Sequence, residues 1–94
     1  NPYFYLMSQI LSGMDGIEKK RVPPPVTETP YTTHAAQLPQ SLMEAVDAFD
    51  KSSFYRTQLG DDFVEYFLTI KRKEISRFLS EVTDWEHREY FEIL

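Results

Sequence analysis

Three consecutive prolines, Pro23, Pro24 and Pro25, constrain this chain more than any other feature. Proline fixes its own φ and offers no N–H, so these positions forbid helix and favour stiff, extended backbone of the polyproline type. The irregular stretch they open, VPPPVTETPYTTHAAQLPQ, runs over residues 22–40. It divides the chain into a helix over 1–20, a long proline-rich loop over 22–40 and a helical part over 41–94. A connection of that length is uncommon inside a compact domain, and usually drapes over a surface or reaches a neighbour.

The stretch before the prolines, NPYFYLMSQILSGMDGIEKKR, is apolar to an unusual degree. Asn1 is a favoured N-cap, and Pro2 at the first helical position gives up an N–H that has no helical partner anyway. Tyr3, Phe4, Tyr5, Leu6 and Met7 then cover almost the whole circumference of the first two turns, followed by Ile10, Leu11, Met14 and Ile17. Such a helix belongs in the interior of something large or in a membrane. Ser8, Gln9 and Ser12 interrupt it, and no apolar run reaches the roughly twenty residues a bilayer span needs. Gly13 and Gly16, three apart, either allow close backbone approach or let the helix fray. Lys19, Lys20 and Arg21 close the helix and are expected to complement its C-terminal dipole rather than bind an anion.

Beyond the loop, Ser41 and Glu44 fit a capping box, and Leu42, Ala45, Val46 and Phe49 recur at helical spacing with Glu44, Asp47 and Asp50 turned outward. SSFYRTQL forms a shorter helix that stops at Gly60, a natural C-terminal glycine. Asp61 and Asp62 are expected to cap a longer helix. Its apolar stripe is predicted at Phe63, Phe67, Ile70, Ile75, Phe78, Leu79 and Val82, with Lys71, Arg72, Lys73, Glu74 and Arg77 as a solvated face. Thr83 and Glu86 fit a second capping box, opening a last amphipathic segment with Trp85, Tyr90, Phe91 and Leu94. Everything outside the loop reads as helix, so the fold class is mainly α.

Composition narrows the function classes. With 94 residues there is one small domain at most, and 15% aromatic residues demand buried surface. Cysteine is absent, which excludes disulfides, thiolate metal sites and cysteine nucleophiles in this segment. The net charge of −5 argues against a general nucleic-acid binder. The N-terminal stretch has no basic leader with a small-residue cleavage site, so a cytoplasmic protein without membrane association is expected.

No constellation for catalysis stands out. There is no glycine-rich phosphate loop, HExxH or G-x-S-x-G. Asp61 and Asp62 are adjacent, so their side chains diverge and suit a helix start better than an acid–base pair. Glu86, His87 and Glu89 lie one and two apart on a helix and point to different sides. His34 stands alone in the loop, without the further ligands a metal needs, and is expected to be solvated.

The order of these pieces resembles the C-terminal part of the glutamine synthetase family, type I enzymes and their γ-glutamyl-polyamine synthetase-like relatives. The resemblance rests on Asn1-Pro2-Tyr3, Gly13-Met14-Asp15-Gly16-Ile17, Lys19-Lys20-Arg21 and Pro23-Pro24-Pro25. It continues through the Tyr31 loop, Leu38-Pro39-Gln40-Ser41-Leu42-Met43-Glu44-Ala45, Leu59-Gly60-Asp61-Asp62, Lys71-Arg72-Lys73-Glu74, Val82-Thr83-Asp84-Trp85-Glu86 and Glu89-Tyr90-Phe91, and so covers the whole chain.

The resemblance implies the helical C-terminal segment of an α+β catalytic domain, with the first helix laid against a sheet that lies upstream. It implies an ATP-dependent ligase, using Mg or Mn, that joins the γ-carboxylate of glutamate to ammonia or an amine. The family's metal ligands, nucleotide loop and substrate arginines would all precede Asn1. No catalytic, cofactor-binding or metal residue is therefore assigned here, and this segment alone is expected to bind no ATP, to be inactive, and not to fold as a well-behaved monomer. Family members assemble into stacked homo-oligomeric rings, which makes the loop and the C-terminal helices candidate subunit contacts. In some bacterial members a loop tyrosine is adenylylated within an Asn-Leu-Tyr-Asp-Leu type of context. Tyr31 is the corresponding candidate for modification, but Thr29-Pro30 and Thr32-Thr33-His34 depart from that context on both sides. The tail resembles the γ-glutamyl-polyamine branch more than the ammonia-using enzymes. The rival reading is a stand-alone helical interaction module whose exposed first helix binds a partner.

Overall fold

The computed structural model describes residues 1–32 and 34–93. Thr33, next to the candidate loop tyrosine, and Leu94, in the predicted apolar tail, lie outside the described residues. Five helices follow in order: α1 (Pro2–Glu18), α2 (Leu42–Asp50), α3 (Ser53–Leu59), α4 (Asp61–Leu79) and α5 (Asp84–Tyr90), and no strand occurs among the described residues. The chain forms two compact units, Asn1–Gln37 and Leu38–Leu94.

In the first unit, Asn1 caps α1 by accepting the Tyr3 N–H at 2.9 Å, with Pro2 opening the helix. The helix passes through Gly13 and Gly16 without fraying, and a Cβ at either would meet open space, so close approach does not explain them in this unit. Its end is a Schellman turn: the Arg21 N–H reaches the Gly16 carbonyl (2.9 Å) and the Lys20 N–H reaches that of Ile17 (3.1 Å). Lys20 takes the left-handed conformation there, φ 49°, at a position that glycine usually fills. The basic cluster thus lies beyond the last helical turn rather than within it. Lys19 and Arg21 both pair with the Asp15 carboxylate, at 2.5 and 3.2 Å, so a side chain rather than the dipole is their direct partner.

No residue of α1 is buried. Tyr3, Leu6, Ile10, Met14 and Ile17 are exposed along its length, forming a continuous apolar ridge, and Tyr5 is exposed as well. The proline stretch has no regular structure apart from a turn over residues 30–32, closed by Thr32 N–H to the Thr29 carbonyl at 3.2 Å. Pro30 sits second in that turn, where its fixed φ is favoured.

The second unit has a small core of Val46, Val64 and Leu68, with Phe49, Leu59 and Ile75 packed around it. Ser41 caps α2 by accepting the Glu44 N–H at 3.1 Å, but Glu44 returns its carboxylate to the N–H of Gln40 (2.8 Å) instead of to that of Ser41. Ser52 caps α3. Gly60, φ 81°, ends α3 and also stands as the N-cap of α4, which has no side-chain cap bond. The expectation that Asp61 and Asp62 cap α4 is corrected accordingly. Both lie inside its first turn, and Asp61 is drawn to Arg56 at 2.9 Å.

The predicted stripe of α4 is also corrected. Val64 and Leu68 are its fully buried residues, Phe63, Phe67 and Ile75 are half-buried, and Phe78, Leu79 and Val82 are exposed. The four-residue step from Val64 to Leu68 places both on the side that meets α2 and α3, while the aromatic rings flank it. Phe49 bridges the helices, meeting Phe67 edge-on at 5.6 Å and Tyr55 at 5.3 Å. Thr83 and Glu86 form the expected reciprocal box at the start of α5, which buries no residue.

Candidate functional site

The densest cluster of polar side chains gathers where α2, α3 and α4 meet. The chain reverses at Gly60, which brings Arg56, near the end of α3, beside the start of α4. The Arg56 Nε–H donates to the Asp50 carbonyl at 2.8 Å, and its two terminal nitrogens reach the carboxylates of Asp61 and Glu65, each at 2.9 Å, and of Asp50. Arg72, 22 positions along the chain from Asp50, donates to the other Asp50 oxygen at 2.6 Å. One arginine thus satisfies three carboxylates, and one carboxylate holds two arginines.

The electrostatics follow from this geometry. Hydrogen bonds from Arg72, then Arg56, hold the Asp50 carboxyl below the ordinary carboxylate range. Asp61, Glu65 and Asp50, in that order, raise the pKa of Arg56, so it stays charged. At α5 the Thr83 N–H, and then its hydroxyl, hold Glu86 low. These groups are occupied by one another: the cluster has no free nucleophile and no unpartnered base, and its chemistry is that of a clamp. Two sequence readings are corrected here. Asp50 is turned toward α3 and α4 rather than outward, and the charge run of α4 is not uniformly solvated. Arg72 ties α4 to α2, and Lys71 pairs with Glu74 at 2.8 Å while lying 5.7 Å above the Phe67 ring.

Tyr31 projects fully into solvent at the loop turn, with 101% relative exposure. His34 is exposed in the same loop. Among the described residues, no three His, Asp or Glu side chains converge as a metal site. Glu86 is committed to its cap and His87 stacks on Phe91 at 6.4 Å, so the pair does not combine with Glu89. Shallow depressions mark the described surface of this unit. One of about 400 Å³ is lined by Val82, Glu86, His87, Tyr90 and Phe91, and one of about 280 Å³ by Ile70, Lys73, Glu74 and Arg77. No helix among the described residues is long and apolar enough to cross a membrane.

Sequence reasoning missed the Arg56 clamp. The available signal was Arg56 beside a helix-ending glycine with Asp50, Asp61 and Glu65 on either side, but only the turn at Gly60 sets these acids within its reach.

The described residues form a mainly helical chain whose first helix is exposed along its length. The chain belongs to the glutamine synthetase family: the family described as glutamine synthetase, catalytic domain, matches residues 1–90. It is similar to a gamma-glutamylanilide synthase of Acinetobacter (42% identity, 100% of this chain and 21% of the relative). It also resembles a gamma-glutamylethanolamide synthetase of Streptomyces coelicolor (33%, 98% and 20%). A glutamine synthetase of Archaeoglobus fulgidus matches at 31% over 99% of this chain and 21% of its own length. The chain thus spans about a fifth of the length of these relatives. No solved structure gives a significant match.

Proposed function

We infer that the whole protein is an ATP-dependent ligase that joins the γ-carboxylate of glutamate to an amine, and that these helices are its scaffold and part of its subunit contacts. The family match over residues 1–90 carries the reading. An amine rather than ammonia is favoured because the 42% relative bears an anilide in its name, whereas the archaeal glutamine synthetase is 31% identical. ATP and a divalent metal, Mg or Mn, would supply phosphoryl transfer and charge neutralisation. Among the described residues no three His, Asp or Glu side chains converge as a metal site, and in this reading the reaction belongs to the rest of the domain. What this chain contributes is rigidity: the Arg56 clamp fixes three helices, and the bare ridge of α1 offers apolar surface to the sheet of that domain. A cytoplasmic homo-oligomer is part of the same reading. Tyr31 is the position to examine for covalent modification, because its ring is fully exposed, although its flanking residues differ from the family's adenylylation context.

The decisive experiment combines the intact mass of the protein from its native source with phosphate release from ATP and glutamate. Ammonia, ethanolamine, aniline and a polyamine are offered in parallel, and products are identified by mass. A mass several times that of 94 residues with amine-dependent phosphate release is expected. A mass equal to the 94-residue chain would instead favour the helical interaction module, for which the exposed α1 ridge is the supporting observation. An added mass on a peptide holding Tyr31 would establish its modification.

A further inference from the structure

The proline-rich loop carries a run of hydroxyls with one proline set among them: Thr27, Thr29, Tyr31, Thr32 and Thr33 around Pro30. Neither the scaffold role nor the Tyr31 reading uses the threonines. Residues 22–32 are exposed throughout and belong to no helix or strand. An enzyme cleft can therefore take up this backbone as an extended segment without opening a packed element.

These threonines are not equivalent. The Thr27 hydroxyl accepts the Thr29 N–H at 3.4 Å, and the Thr32 hydroxyl donates to the Thr29 carbonyl at 3.2 Å. Thr29 opens the turn that the Thr32 N–H closes, and it is the one threonine in the chain followed by proline. Pro30 holds its own φ and steers Thr29 away from helical angles toward extended ones. Because Pro30 lacks an N–H, the position after Thr29 presents an apolar ring where every other threonine is followed by a donor. A cleft that meets that position with apolar surface accepts Thr29, and it rejects the others by leaving their next N–H unpaired.

We propose that Thr29 is a phosphorylation site for a proline-directed serine/threonine protein kinase. The Thr29 hydroxyl oxygen bonds to the γ-phosphorus of ATP as the bond from that phosphorus to the β,γ-bridging oxygen breaks. ADP leaves, and the hydroxyl proton passes to a base of the kinase. The product alters the loop's charge more than any residue within it. Residues 22–40 contain one acid, Glu28, and no Lys or Arg. Phosphate adds roughly two negative charges at neutral pH. With no Lys or Arg in the loop to pair with, it makes the loop an acidic feature rather than closing it on itself. Thr29 and Tyr31 are separate acceptors for different groups.

The test maps phosphate on the full-length protein. Cleavage after Arg21 and Lys51 releases one peptide, residues 22–51, that holds the whole loop. Protein purified from its native source with phosphatases inhibited should yield this peptide with one added phosphoryl group, placed on Thr29 by fragmentation. Full-length protein treated with a purified proline-directed kinase and γ-labelled ATP should take up the same group at the same residue. Thr29→Val and Pro30→Ala should each cut that uptake by about tenfold or more, and Thr29→Ser should retain it. Phosphate found only on another residue of the peptide, or uptake that persists in Thr29→Val, overturns the proposal. A native peptide without the group overturns it even where the purified kinase labels Thr29. A nucleotidyl group on Tyr31 beside an unmodified Thr29 also overturns it, while leaving the Tyr31 reading standing.

Discussion

Arg56 and Lys20 show how single residues set local geometry in this chain. Arg56 joins α2, α3 and α4 through Asp50, Asp61 and Glu65, and Arg72 completes the set by holding the second Asp50 oxygen. Because these arginines hold Asp50 below its ordinary range, the linkage has a definite sign. The stabilisation is complete above the unfolded-state value of about 3.9 and is lost as pH falls through the lower folded value. Hydrogen exchange in the full-length protein should therefore show α3 opening more readily below about pH 4, and Asp50→Asn should flatten that pH dependence while raising exchange at neutral pH. Lys20 occupies a left-handed position at the end of α1. A Cβ there costs roughly 1 kcal/mol, so Lys20→Gly should slow exchange at the amides of Lys20 and Arg21 by about that amount.

At the scale of elements, the small core decides which helices are firm. Val64 and Leu68 are fully enclosed, and little else in the second unit is. Leu68→Ala removes a side chain from the junction of three helices and should cost about 2–5 kcal/mol, read as a fall in the opening free energy of α2 to α4. Gln58→Ala, on an exposed face of α3, should stay within about 0.5 kcal/mol. At α5 the reciprocal cap of Thr83 and Glu86 organises a helix of only seven residues. Thr83→Ala should cost about 1 kcal/mol and show first as faster exchange at the amides of Glu86 and His87.

For the whole molecule, the unsatisfied surface carries the consequence. α1 has no buried residue and an apolar ridge along its length, so the 94-residue segment studied alone should self-associate and show no saturable ATP binding. Calorimetric titration with ATP and sedimentation of that segment check both statements. Tight binding by the segment would move the nucleotide site into these helices and overturn the assignment of the chemistry to the rest of the domain.

Local signals alone were enough to divide the chain. The proline run, the Asn1 cap, the Ser41 and Thr83 starts and the Gly60 stop all act through backbone groups within a few residues, so their physics is complete in a short stretch of sequence. Family membership was legible for a related reason, since it is carried by the order of such pieces. Burial within α4 was not legible. Phe63 and Phe67 outrank Val64 and Leu68 in hydrophobic area, yet the helix phase that meets α2 and α3 selects the smaller pair. The Asp50–Arg72 tie was equally hidden, because residues 22 positions apart meet only once two helices have been packed. Capping and chain breaking are settled by neighbours in sequence, whereas burial and ion pairing depend on which faces meet in space.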